Sequence, residues 1–243
     1  MNGLYKNKTR INYYDLDFQG KIKLSALLRM VHIAADENAT DLKIGFAHLH
    51  PLNISFVIQR FNVNIIKMPA YNDVVTIRTW PASTAKGTFT RKGDMYNEQG
   101  EKIMEWASLW ILFDLKERKL LKPSALPIEI PPMGNQGVNL EPTRIRESIE
   151  DFGKLHSRHT HVVRYSEVDT NIHMNNSIYG DLIGNAIFPK ISEMPAWKNI
   201  QIAYQAETYL GDEIKINACK KENIFLVTGE NKDRICFTAR VEI

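Results

Sequence analysis

Apolar residues follow two different spacings along the chain, and these spacings succeed one another in a fixed order. From residue 24 to about residue 41 they recur at positions i, i+3, i+4 and i+7, which predicts a long amphipathic helix. A short strand is expected before this helix, at residues 12–17. After it, apolar and polar residues alternate, which predicts strands at residues 54–66, 74–80 (ended by Pro81), 88–96 and 102–114. A helix followed by a strand meander indicates an α+β fold.

The pattern then stops and begins again. Four prolines and two glycines stand between residues 123 and 137, a composition typical of a linker, which we place at residues 123–157 with one or two short helices near residues 144–152. A strand is predicted at residues 159–165 and a helix at residues 177–188. Further strands are predicted at residues 198–208, 213–220, 225–230 and 235–242.

The two halves align as a weak internal repeat. Asp17 matches Asp169 at an offset of 152 (169 − 17), and Asp73 matches Asp212 at an offset of 139 (212 − 73). Each half is a strand, a helix and then antiparallel strands, which is the order of a hotdog unit. A single such unit leaves a sheet edge open, so that units usually pair. We therefore predict a double hotdog: an N-terminal unit at 1–122 that binds substrate, the linker, and a C-terminal catalytic unit at 158–243.

Composition narrows the class of protein. The 243 residues carry a net charge of only +3 at pH 7, without a Lys/Arg cluster interleaved with aromatic residues, so a nucleic-acid partner is not expected. Apolar runs stay short of the ~18 residues of a membrane span, and no signal peptide is recognised, so we expect a cytoplasmic protein without a membrane partner. Cys219 and Cys236 are expected to be reduced structural thiols.

The candidate chemistry lies just before the second helix. Asp169, Asn171 and His173 place a carboxylate, a carboxamide and an imidazole at alternate positions, and together such groups can hold a water molecule or a carbonyl group. The same residue types also favour a purely local turn that caps a helix. In the first half, Gln19 and Lys21 stand opposite Asn171 and His173, so that only the second half keeps the full set.

Other catalytic motifs are absent from the sequence. It contains no Gly-x-Ser-x-Gly elbow, no glycine-rich phosphate loop and no Cys/His zinc cluster, which disfavours serine hydrolysis and nucleotide use. A His48-x-His50 pair has no third ligand at useful spacing. We therefore expect neither a metal nor a cofactor, and a site of acid, amide and imidazole groups that acts on water.

Two motifs resemble those of the acyl-acyl-carrier-protein thioesterase family, which comprises plant and bacterial tandem-hotdog enzymes. Residues 169–179 resemble the family pattern Asp-x-Asn-x-His-x-Asn-Asn-x-x-Tyr, and residues 204–208 resemble its Tyr-x-x-Glu-Cys strand. A looser similarity covers residues 90–92 and 105–108. The resemblance extends over most of the chain and suggests a member of bacterial type.

The resemblance implies a catalytic set made of Asp169, Asn171, His173 and Glu207. Glu207, with His173, would activate water, Asn171 and His173 would position the thioester or the water, and Asp169 would orient its neighbours. Backbone N–H groups at the start of the second helix would steady the oxyanion. Thr208 stands where many plant members have Cys, which favours direct attack by water over a covalent acyl-enzyme.

Three further positions are taken as possible neighbours of the site: Asn175, Asn176 and Thr208.

The implied activity is hydrolysis of fatty acyl-acyl-carrier-protein to free fatty acid, in fatty acid biosynthesis, by a monomer or homodimer. Because carrier proteins are acidic, basic side chains near the site would steer them, and the candidates are Lys190, Lys198 and Arg164. One alternative is another tandem-hotdog enzyme, either an acyl-CoA thioesterase or a dehydratase. A second is a non-catalytic acyl-binding protein.

Overall fold

The computed structural model describes residues 3–188 and 197–243, in which four α-helices accompany eleven strands. The helices are α1 (Leu24–Asp41), α2 (Phe46–Leu49), α3 (Ile149–Phe152) and α4 (Ile178–Ile187). The strands of the first half are β1 (Tyr5–Arg10), β2 (Ile54–Ile65), β3 (Val74–Ala85), β4 (Thr88–Tyr96), β5 (Lys102–Asp114) and β6 (Lys119–Leu121). Those of the second half are β7 (Lys154–Val162), β8 (Asn199–Tyr204), β9 (Glu213–Lys221), β10 (Ile224–Asn231) and β11 (Arg234–Glu242).

All described strands form one antiparallel sheet with a mirrored order. The order is β1-β3-β4-β5-β2-β8-β11-β10-β9-β7, with β6 added beside β5. The first five and the last five strands are therefore the same arrangement read in opposite directions, and they join where β2 pairs with β8. Each half covers the inner edge of the other, which removes two exposed edges. Apolar residues of α1, α4 and both halves of the sheet share one core.

Matching hydrogen bonds in the two halves confirm both offsets of the internal repeat. The amide of Asp17 donates to Lys21 O (2.7 Å), and that of Asp169 donates to His173 O (2.9 Å), at the offset of 152. The Asp73 carboxylate accepts the amide of Ala70 at 2.8 Å and so closes its turn. The Asp212 carboxylate accepts the amide of Tyr209 at 2.9 Å in the same way, at the offset of 139.

A buried lysine attaches the connecting segment to the first half. Lys92 on β4 is 1% exposed, and its Nζ donates to Asn135 Oδ1 (2.9 Å), Val138 O (3.1 Å) and Glu141 Oε1 (2.6 Å). A buried ammonium group is stable only when its hydrogen bonds are satisfied. Three acceptors from residues 135–141 do this, and they hold the segment against the sheet.

The structure corrects three local expectations. The entry strand lies at Tyr5–Arg10, and residues 13–15 form a 3-10 turn, because the Asp15 carboxylate accepts the amide of Asn12 (3.2 Å). β3 continues past Pro81 to Ala85, because a bulge between Pro81 and Ser83 takes up the missing N–H donor. β8 ends at Tyr204, so residues 205–208 are not strand.

The remaining boundaries agree with the expectations to within a few residues, except that β7 begins at Lys154 and takes in the last part of the expected linker. Helix α1 covers the residues predicted for it, Leu24–Asp41. Cys219 and Cys236 are free and buried, as predicted. No helix of residues 3–188 and 197–243 has the length and apolar character needed to cross a membrane.

Candidate active site

A tight turn between residues 168 and 174 presents the candidate side chains. Val168 and Met174 form an isolated bridge, and the amide of Ile172 donates to Asp169 O at 3.0 Å. The Asp169 carboxylate accepts the amide of Asn171 at 2.8 Å, so it shapes its own turn. The backbone of Ile172 has a φ of 66°. The matching position of the first-half turn is Gly20, whose φ is 74°. A β-branched residue in this left-handed region is strained, and such strain concentrates at functional sites.

The turn is fastened to the segment after β8, and this brings the imidazole to the second carboxylate. The amide of Met174 donates to Thr208 O at 2.9 Å. Nε2 of His173 then lies 3.5 Å from Oε2 of Glu207, with the two side chains 21% and 29% exposed. Residues 34 positions apart in the sequence (207 − 173) are therefore neighbours that both reach solvent.

Glu207 is held by two further groups. Tyr209 donates its hydroxyl to Oε2 at 2.6 Å, and Arg118 donates to the same oxygen from the turn between β5 and β6. Burial raises the pKa of Glu207, but hydrogen bonds from Tyr209 and Arg118, with the charge of His173, outweigh it and lower the pKa below its usual value. Glu207 is thus a carboxylate at neutral pH and a weak base by itself.

All four expected catalytic side chains line one cavity of about 200 Å³: Asp169, Asn171, His173 and Glu207. Its opposite wall is made by the first half, including Ser55 and Phe56 of β2. The cavity therefore lies between the two halves. A separate cavity of about 220 Å³, lined mainly by apolar groups of α1, β2 and β4, shares Asn171, Ser55 and Phe56 with it.

The three expected neighbours have different positions. Asn176 and Thr208 line the cavity, but Thr208 is 1% exposed and its hydroxyl lies 3.2 Å from that of Tyr179. Asn175 is not among the lining residues. Its Oδ1 accepts Ser177 N (2.9 Å) and Ser177 Oγ (2.8 Å), and its backbone oxygen accepts Ile178 N (3.0 Å). The amides of Ser177 and Ile178 are therefore occupied by Asn175, and an oxyanion site at this helix start remains a prediction.

The basic residues expected to steer a carrier protein remain predictions. Arg164 is exposed, and Lys198 donates to Ile243 O at 3.4 Å. Lys190 lies outside the described residues.

Sequence reasoning missed three residues of the site. Arg118 and Tyr209 lie outside the predicted helices and strands, and neither belongs to a motif. Gln59 lines the cavity at a bulge of β2, where the pairing with β5 shifts between Ile58 and Arg60. Bulges redirect side chains beside active sites, but alternation of apolar residues does not reveal them.

Comparison with known proteins gives a consistent picture. Two family models match the chain: the acyl-ACP thioesterase N-terminal domain over residues 2–125 and the acyl-ACP thioesterase C-terminal domain over residues 153–236.

Curated relatives come from plants. The chain is 28% identical over 159 residues to a chloroplastic palmitoyl-acyl carrier protein thioesterase of Arabidopsis thaliana, and the match covers 64% of this chain. It is 22% identical over 248 residues to the chloroplastic oleoyl-acyl carrier protein thioesterase 2 of the same plant, covering 93% of this chain and 66% of that protein. The first of these matches spans only 39% of the relative's length.

Solved structures with a similar fold cover nearly the whole chain. An acyl-ACP thioesterase from Bacteroides thetaiotaomicron superposes with a TM-score of 0.81 at 22% identity, over 99% of this chain and 98% of that one. The 12:0-ACP thioesterase from Umbellularia californica gives 0.79 at 15% identity, over 100% and 97%. At these identities the likeness concerns the fold, and it confirms the predicted α+β double hotdog.

Proposed function

The chain belongs to the acyl-ACP thioesterase family, and from that premise we propose that it hydrolyses fatty acyl-acyl-carrier-protein to free fatty acid and carrier protein. One observation carries the proposal: His173 and Glu207 face each other in a cavity that meets an apolar cavity at Asn171. A thioester at this junction would have its carbonyl group beside the polar set and its acyl chain among apolar side chains.

The geometry supports a division of roles in the reaction. His173 takes a proton from water, whose oxygen attacks the thioester carbon, and the Glu207 carboxylate stabilises the imidazolium that forms. The Asn171 carboxamide donates to the oxyanion, and Asp169 fixes the turn that carries Asn171. When the intermediate collapses, the C–S bond breaks and the leaving thiolate receives the proton from His173. The products are a carboxylic acid and a thiol.

The same proposal assigns a task to each half. The N-terminal half, residues 1–122, holds the acyl chain, because nearly all side chains that line the apolar cavity come from it. Residues 158–243 carry the reacting groups, and residues 123–153 connect the two halves, since β7 begins at Lys154. We place the protein in the cytoplasm, in fatty acid biosynthesis, as a monomer or homodimer. Its two free, buried cysteines suit a reducing compartment.

The test is an assay of free fatty acid release from acyl-carrier protein and from acyl-CoA over a range of chain lengths. We expect a higher kcat/KM on acyl-carrier protein, because a protein carrier offers additional contacts at the cavity mouth. Faster release from acyl-CoA would favour the acyl-CoA thioesterase alternative. Binding of acyl chains without release from either thioester would refute the enzyme and leave the acyl-binding protein.

Substitution of Arg118 is expected to change the pH dependence of hydrolysis. Because this side chain helps to lower the pKa of Glu207, Arg118→Met should raise that pKa, so that the carboxylate is protonated at a higher pH as the solution is acidified. The acidic limb of the kcat/KM profile should therefore move to higher pH. Lys116→Met removes a charge from the same exposed turn and is the control. Equal shifts in both variants would mean that net charge, and not the contact with Glu207, sets the profile.

A further inference from the structure

The apolar cavity is also lined by three basic side chains that the proposed hydrolysis does not use. His50 is exposed, whereas His32, on α1, and Arg91, on β4, are partly buried. The other lining groups include Phe46, Phe56 and Trp110, which suit an aliphatic chain. Placing two basic groups in the wall of an apolar cavity costs free energy unless a ligand supplies polar partners.

The Arg91 guanidinium is bonded only to neutral groups within the described chain. Its Nη1 donates to Asn38 Oδ1 at 2.7 Å and to Thr79 Oγ1 at 3.3 Å. No carboxylate of the described residues forms an ion pair with it, although Asp36 also lines the cavity. Burial lowers the pKa of Arg91 to about 10, so the group is still a cation at neutral pH. Because a guanidinium group has five N–H donors, several are left for a ligand.

His32 has an unused ring nitrogen. Its Nε2 is buried and has no hydrogen-bond partner among the residues that the structure describes. The ring is packed edge-on between Phe61 and Trp110, with centroids 6.3 Å away in each case. Burial lowers the pKa of His32 to about 4, so the imidazole is neutral and has one donor and one acceptor nitrogen. Buried polar atoms without a partner are uncommon and call for an explanation.

Arg91 lies away from the reacting carbon. Asn171 marks the end of the apolar cavity that meets the catalytic cavity, and β2 contributes Phe56 to both. The strand of Arg91, β4, is separated from β2 by β5 in the sheet. At a strand spacing of ~4.8 Å, this places β4 roughly 10 Å from β2. A polar group on the acyl chain that reaches Arg91 is therefore remote from the thioester.

We propose that the preferred acyl chain carries a hydroxyl group remote from its thioester, and that His32 and Arg91 bind this hydroxyl. The inference rests on the proposed thioesterase function and specifies its substrate class. A hydroxyl oxygen accepts from the guanidinium while its proton is donated to an imidazole nitrogen, so one group satisfies both side chains. A methylene at the same place leaves both without a partner, and sites of this kind discriminate against the unsubstituted chain.

The experiment compares carrier-protein thioesters of equal chain length: one unsubstituted, one with a terminal or mid-chain hydroxyl, and one with a hydroxyl beside the thioester. We expect kcat/KM about tenfold higher for the remote hydroxyl than for the unsubstituted chain, from the added hydrogen bonds. His32→Leu and Arg91→Met should each reduce this ratio towards one. Arg158→Met is the matched control, because Arg158 also bonds an amide oxygen, that of Asn217 at 2.7 Å, but is exposed in the second half.

The outcomes separate the two proposals. A ratio of one or less in the wild type, or an equal gain from the hydroxyl beside the thioester, overturns the inference and leaves the hydrolysis standing. If no thioester is cleaved, the proposed function fails, and the inference is then decided by calorimetric binding of the free hydroxylated and unsubstituted acids. Loss of the ratio in Arg158→Met as well would show that the two cavity residues are not its source. Since Arg91→Met removes two internal hydrogen bonds, His32→Leu provides the test if that variant does not fold.

Discussion

Glu207→Gln is expected to lower kcat on acyl-carrier protein by ~10²–10⁴-fold, the usual contribution of an acid/base group. The amide has nearly the same shape as the carboxylate but no charge, so it cannot stabilise the imidazolium of His173, 3.5 Å away. His173→Ala should have a similar effect and should add little in the double variant, because the two residues act on one proton. Steady-state release of fatty acid measures the rates, and circular dichroism checks that each variant is folded.

The chain contains its own control for this prediction. His161 and Glu167 form a second histidine–glutamate pair, with Nε2 and Oε2 2.9 Å apart, but neither residue lines the catalytic cavity. Glu167→Gln should therefore keep a rate within a few-fold of the wild type. If Glu167→Gln is as inactive as Glu207→Gln, the loss reflects general damage to the second half. If both keep the wild-type rate, the assignment of Glu207 is wrong.

Gly180→Ala is expected to lower the free energy of unfolding more than any other single methyl group added to helix α4. A Cβ atom at Gly180 would lie 2.6 Å from Ser25 N and 2.8 Å from Ser25 Cα, so it would meet backbone, which cannot turn aside. The start of α1 and that of α4 are in contact here, and Ser25 also donates a hydrogen bond to Asp181. Overpacking of this kind costs about 3 kcal/mol, because α1 and α4 must separate.

Gly184, one turn further along the same helix, is the matched control. Nothing lies within 4 Å of a Cβ atom placed there, so Gly184→Ala should instead stabilise α4 by ~0.5–1 kcal/mol through helix propensity. Urea unfolding followed by circular dichroism measures both free energies of unfolding. For a chain of this size, the Gly180 variant should also melt ~6–12 °C lower. Equal and small effects at the two glycines would show that the helices do not approach as closely as described.

Local periodicity was sufficient for most of the secondary structure. Helix α1 and strands β4 and β5 have the predicted bounds, because each has a continuous apolar face that only one period fits. Prediction failed where a side-chain hydrogen bond or the pairing with another strand determines the backbone conformation. Residues 13–15 form a 3-10 turn through Asp15, and β3 passes through Pro81 with the help of a bulge. Neither the Asp15 hydrogen bond nor the bulge changes the order of apolar and polar residues, so this order does not predict them.

The candidate site divides in the same way. The sequence alone determined the turn that carries Asp169, Asn171 and His173, because its contacts join residues close together in the chain. It also determined the tandem hotdog, because the same order of local patterns occurs twice. It could name Glu207 only through a family resemblance. The tertiary structure decided that Glu207 lies beside His173, that Arg118 from the other half and Tyr209 hold it, and that the cavity lies between the halves. Arg118 and Glu207, for example, are 89 positions apart. The periodicity of apolar residues does not predict such contacts, because only the packing of the folded halves brings these residues together.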